Sequence, residues 1–185
     1  MGDYVIKSLV KNELVTVNVF QPLKDDIATA YPDIHSARLS TVFTFVESGM
    51  RDQRITVTYL GRGLKDSSDT DKKHDIKRAD RLIGTPYLHS ERLYFYEFMT
   101  EYLVGHNHHP LVIVDWSPIN GQERFPVLRA SIPMGGRALT LYEKVYPESE
   151  LNSEKAHIDL LDNLANCLPV DCQPIILSDA IFKTP

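Results

Sequence analysis

Cysteine is scarce in this chain. Of 185 residues only Cys167 and Cys172 are cysteines, too few and too close together for a disulfide framework. With no other soft ligands beside them they also make a poor zinc site, so both read as plain thiols. No run approaches the ~18 uninterrupted apolar residues of a membrane span. The opening "MGDYVIKSLVKNELVTVNVF" is interrupted by Asp3, Lys7, Lys11 and Glu13, which breaks any signal-peptide core. The expectation is a cytoplasmic protein with no membrane partner. Positive charge is short as well, with 20 Lys and Arg against 25 Asp and Glu and a net charge of −5. That excludes a uniformly basic chain but not a basic segment. Residues 50 to 92 hold ten Lys/Arg and seven Asp/Glu, a net of +3, while the remainder holds ten against eighteen, a net of −8. A locally basic stretch inside an acidic chain hints at a polyanionic partner.

What is present divides near the middle. Residues 1 to 22 alternate loosely and read as a short strand or an unpacked leader. From residue 23 to about 105 the apolar period is helical. Leu39, Val42, Phe43 and Val46 form one stripe, with Gly49 as a stop signal. "RITVTYLGRGL" reads either as a strand or as a helix capped by Thr56 or Thr58. In "KKHDIKRADRLIG", Ile76, Ala79, Leu82 and Ile83 share a face, and Gly84 followed by Pro86 ends the helix. Lys73, Lys77 and Arg81 run along another face at i, i+4 and i+8, with Arg78 beside them and Asp75 and Asp80 as partial counter-charges. A third helix, "HSERLYFYEFMTEYLVG", carries Leu93, Tyr96, Met99 and Leu103, with Ser90 available as its cap.

The second half changes period. "PLVIVDWS" reads as a strand ending in Asp115, "ERFPVLRASIPM" as a second, and "RALTLYEKVYP" as a third after a "GG" turn. "NSEKAHIDLLDNLANCLP" is a helix capped by Asn152 or Ser153, and "QPIILSDA" returns as a strand buried on both faces. The order β-β-β-α-β makes the last strand parallel to a partner. If that partner is the first strand, Asp115 and Asp179 sit side by side, where two carboxylates suit a hard divalent cation. Trp116 fits packing between sheet and helices better than stacking on a base, and His157 reads as a surface residue. His106, His108 and His109 lie in a polar loop.

Several blocks, in order and at natural spacing, carry a more specific signal. "LGRGL", "KHDIKRADRLIG", "LHSERLYFY", "VIVDWSPI", "FPVLRASIPMGGRALTLYEKVYP", "KAHIDLLDNLANCLP" and "IILSDAIFKTP" together resemble the N-terminal part of bacterial insertion-sequence transposases of the DDE cut-and-paste type (insertion-sequence family four). The resemblance runs from about Leu23 to Pro185. It implies an α/β chain with a helical DNA-binding bundle over 23 to 105 and a ribonuclease-H-like β-β-β-α-β core over 106 to 185. It implies that Asp115 and Asp179 are catalytic and hold Mg²⁺ for cleavage and strand transfer in double-stranded DNA at transposon inverted repeats. Arg62, Lys72, Lys73, Lys77, Arg78 and Arg81 would meet the DNA, chiefly at phosphates, which position a protein without reading sequence. The family's third acid is a Glu on a later helix bearing a Tyr, Arg, Glu and Lys signature. These 185 residues hold no counterpart, and Glu143, Glu148, Glu150 and Glu154 come too early to replace it. Groups that act as a unit are strongly non-additive, so the expectation is a truncated core inactive alone. The alternative is a non-catalytic DNA-binding regulator that associates with the intact transposase and inhibits it.

Overall fold

A computed structural model describes residues 6–10, 13–17, 20–52, 55–64, 69–119 and 125–178. The chain is a mixed α/β protein in two compact units, residues 1–92 and 93–185.

The first unit opens with β1 (Ile6–Val10) and β2 (Glu13–Val17), an antiparallel pair with Ile6 opposite Val17. Four helices follow: α1 (Phe20–Ala30), α2 (Ser36–Asp52), α3 (Val57–Arg62) and α4 (Asp69–Ile83). The choice left open at residues 56 to 58 resolves as helix. Thr56 is the N-cap of α3, its hydroxyl accepting the Tyr59 N–H at 3.3 Å, which satisfies one of the orphan donors of the first turn. Gly49 does not stop α2, which runs on to Asp52. α2 buries Leu39, Phe43, Phe45 and Ser48 while Val46 stays 43% exposed. The buried arc turns toward α3 because Ser48 and Gly49 face Leu60. Phe45, Leu60 and Ala79 form a small core with Val57, Leu64 and Leu82 packed on it; Ile83 falls outside that core and is exposed.

Helix α5 (Pro86–Val104) begins a turn earlier than Ser90 suggests. Proline at the first helical position loses no helical hydrogen bond, because that N–H has no intrahelical partner. Ser90 is therefore internal and donates to the Tyr87 carbonyl. Near its start, Arg38 of α2 forms a two-pronged ion pair with Glu91, Nε to Oε2 at 2.6 Å and Nη2 to Oε1. The Arg38 guanidinium also lies 4.9 Å from the Tyr87 ring centroid.

The second unit is a four-stranded sheet of β3 (Leu111–Pro118), β4 (Pro126–Met134), β5 (Arg137–Val145) and β6 (Ile175–Ser178), in spatial order β5-β4-β3-β6. The first three run antiparallel and β6 pairs parallel with β3. Helix α6 (Glu154–Cys167) makes the crossover, capped by Ser153, whose hydroxyl accepts the Ala156 N–H at 3.1 Å. Val112, Val114, Leu128, Ala130, Tyr142, Leu160 and Leu164 fill the core. On α5, Thr100 rather than Met99 turns inward, donating its hydroxyl to the Leu141 carbonyl at 3.1 Å. Burying a hydroxyl is tolerated there because it is hydrogen-bonded; Met99 is exposed. Strand β6 is not buried on both faces: Ile175, Ile176 and Leu177 are 58%, 40% and 53% exposed. It lies at the sheet edge, so among the described residues only β3 pairs with it.

Candidate nucleic-acid interface and acidic strand

Four of the six cations that the sequence singles out come together. Arg62, the last residue of α3, and Lys72, Lys73 and Lys77 of α4 line a groove of about 670 Å³ with Ile76 at its apolar wall. The spacing on α4 explains the convergence. Lys73 and Lys77 stand at i and i+4, on one side of the helix, and the close approach of α3 brings Arg62 to the same side. Arg78 and Arg81 go elsewhere. The Arg78 guanidinium lies 5.7 Å from the Phe45 ring centroid, a cation–π contact back onto α2. Arg81 donates its Nε–H to the Lys77 carbonyl at 3.2 Å. A groove lined by several cations concentrates positive potential.

Asp115 lies on β3 and is exposed. It is the fifth of eight residues rather than the strand end, because pairing with β4 continues through Pro118 opposite Pro126. On the other side the described ladder with β6 stops at Val114 opposite Ser178. The next residue in sequence is Asp179, which lies outside the described residues. Across the sheet Asp115 stands opposite Arg129, and Arg129 opposite Glu143. Arg129 donates Nε–H to Glu143 Oε2 at 2.6 Å, so its charge is matched within the sheet. Asp115 offers hard oxygen donors of the kind Mg²⁺ takes. A single carboxylate is one ligand, and among the described residues no three His, Cys, Asp or Glu side chains converge to hold a metal.

The alternate residues point to the other face. Trp116 donates its indole N–H to His157 Nε2 of α6 at 3.0 Å and meets the Tyr146 ring edge-on, centroids 5.6 Å apart. His157 is thus half-buried rather than a surface residue, and burial lowers its pKa. Beside it, Asp159 accepts from Lys144 Nζ and from the Tyr146 hydroxyl, both at 2.6 Å. Burial pushes the Asp159 carboxyl up, but those two hydrogen bonds together pull it below its ordinary value. The same contacts, after burial itself, raise Tyr146 well above the usual phenol. Sheet alternation therefore sets Asp115, Arg129 and Glu143 on the face away from α6, while Trp116 and Lys144 anchor the helix.

The two cysteines are free; burial, and then Glu97, push Cys167 up to about 11, so it is an inert core thiol. His106, His108 and His109 are exposed in the loop before β3, and His109 Nδ1 lies 3.1 Å from the Gln173 carbonyl oxygen.

Two features of these surfaces have no clear sequence signal. The Arg129–Glu143 pair depends on a bulge between Ala130 and Ser131; regular pairing from the turn would set Arg129 opposite Tyr142. Gly61, which brings α3 against α4, carries no sequence mark of that contact. Among the described residues no helix is long and apolar enough to cross a membrane. Comparison of the chain with protein-family models, curated proteins and solved structures finds no match.

Proposed function

We propose that this chain belongs to a DDE transposase, holding transposon-end duplex through its first unit and carrying ribonuclease-H-like β-β-β-α-β structure in its second. The observation that carries this reading is the cationic groove, where Arg62, Lys72, Lys73 and Lys77 converge from two helices. The sheet lends support, since its β-β-β-α-β chain order, with β6 parallel to β3 across α6, fits the core that the resemblance implies. In this reading Asp115 and Asp179 would be the carboxylates that hold Mg²⁺. When bound, that ion would supply an activated water and a stabilised leaving oxygen for phosphodiester cleavage. The chain's own contribution is to hold the duplex by its phosphates and to present Asp115 on the sheet face free of α6.

A polypeptide of these 185 residues is expected to bind DNA without cutting it, and could act by occupying ends or associating with intact enzyme. Fluorescence anisotropy with labelled inverted-repeat duplex, beside a cleavage assay in Mg²⁺, tests both halves. Salt-sensitive binding that is lost in a Lys73→Ala/Lys77→Ala variant supports the reading. Absence of binding at low salt overturns it.

A further inference from the structure

Helix α3 is held by close contacts to α2 on one side and α4 on the other. Ser48 of α2, fully buried, donates its hydroxyl to the Leu60 carbonyl at 2.7 Å. At Gly49 an added Cβ would stand 3.2 Å from Leu60 Cδ2. The tightest approach is on the other side of α3. A Cβ at Gly61 would fall 2.5 Å from both the Cα and the backbone nitrogen of Ile76, and 2.7 Å from its Cγ1. That separation lies well inside the contact distance of non-bonded heavy atoms. The obstacle is main chain, so no rotamer change relieves it; a side chain at position 61 must move α3 off α4. Ile76 is also the apolar residue of the cationic groove, and Arg62, next after Gly61, is the one groove-lining cation supplied by α3.

We infer that Gly61 is a positioning residue for the polyanion site: it lets the α3 backbone lie on α4 and so sets Arg62 beside Lys72, Lys73 and Lys77. This rests on the groove being the DNA site. It goes beyond that reading by making the groove a product of helix packing. The lysines belong to α4 alone, whereas the arginine, with the planar fork that suits phosphate, is present only while α3 is seated. Ser48 acts in the same sense from behind, by fixing the Leu60 carbonyl.

The test uses the full chain and a short labelled duplex of arbitrary sequence, with affinity followed by anisotropy across a salt series. Each lost phosphate contact makes the slope of log K against log[salt] shallower by about 0.9. Arg62→Ala should show that change. Gly61→Ala should show the same change, and the double variant should be no shallower than either single one, the non-additivity expected of residues acting together. A purely structural role for Gly61 would weaken binding by the unfolded fraction and leave the slope of the folded protein unaltered; that result overturns the inference. If Gly61→Ala proves unfolded by circular dichroism, Ser48→Ala decides, since it loosens α3 without a clash. A shallower slope supports positioning, and an unchanged slope rejects it. Failure of the groove reading looks different, because then neither Arg62→Ala nor Lys77→Ala alters the slope.

Discussion

Trp116 gives its indole N–H to Nε2 of His157 across 3.0 Å. The bond requires Nε2 to be an acceptor, so in this geometry the imidazole carries no proton there. It joins β3, one residue beyond Asp115, to the first turn of α6. Tyr146, just past the end of β5, meets Trp116 edge-on and donates its hydroxyl to Asp159, which also pairs with Lys144.

Burial of this imidazole makes stability depend on pH. Burial holds His157 below its ordinary value in the fold, while an unfolded chain takes up the proton near about 6.5. The unfolded state therefore binds more protons as pH falls through the unfolded value, and stability declines until the folded pKa is reached. Above the unfolded value His157 contributes no slope. Urea midpoints across that window should fall for the wild type and fall less for His157→Gln, which keeps an acceptor but does not titrate. Trp116 is the single tryptophan, so its emission reports the same change directly. Equal pH slopes in the two proteins would show that His157 does not carry the effect.

The neighbouring carboxylate behaves in the same sense, over a more acidic window. Asp159 is held below its ordinary value despite burial, so its contribution is present above the unfolded pKa and is lost as pH drops through the folded one. Tyr146→Phe removes one of its two donors from a site where the phenol is buried. A hydrogen bond to a charged group contributes about 1.5–3 kcal/mol; because more than a third of the Asp159 side chain is open to water, the loss in denaturant titration at neutral pH should fall below that range. Asp159→Ala should remove most of the sensitivity to Tyr146→Phe, because both changes delete the same bond.

In the cationic groove the prediction concerns specificity. Lys77→Ala should weaken binding to every duplex by a similar factor and make the salt slope shallower by about 0.9. Phosphate contacts position a protein and carry no base information. If Lys77→Ala instead altered the preference among sequences, the groove would be reading bases and the phosphate assignment would fail. Arg78→Ala should have a smaller effect on the slope, since that guanidinium turns toward Phe45.

How much of this could be read from sequence depends on whether a residue's role is local. The Ser153 cap and the strand–strand–strand–helix–strand order follow from local chemistry and periodicity, and the structure has them. Position along a stripe was less legible. Val46 and Met99 fit the helical period yet are exposed, because α2 and α5 are buried over arcs fixed by neighbours that the period does not reveal. Gly49 looks like a stop and is a contact point, as is Gly61, a role that exists only once α3 lies between α2 and α4. His157 looked superficial because its partner, Trp116, is 41 residues away. At the acidic site Asp115 is placed, while Asp179 lies outside the described residues.

The edge of the sheet yields the last prediction. Ile175, Ile176 and Leu177 are all exposed on β6, and Leu111 of β3 is 41% exposed beside them. An edge strand presents unpaired backbone groups, and natural edges are commonly guarded by charge or by proline. Among the described residues β6 carries neither, its sequence being Ile-Ile-Leu-Ser. The chain should therefore associate as concentration rises, seen as increasing light scattering and a melting temperature that shifts with concentration. Ile176→Lys introduces charge at a position already 40% exposed, so it should reduce association at little cost to the fold. A sharp, reversible, concentration-independent melt in the wild type would mean that this edge is covered in solution, and the lysine variant would then destabilise the chain instead of dispersing it.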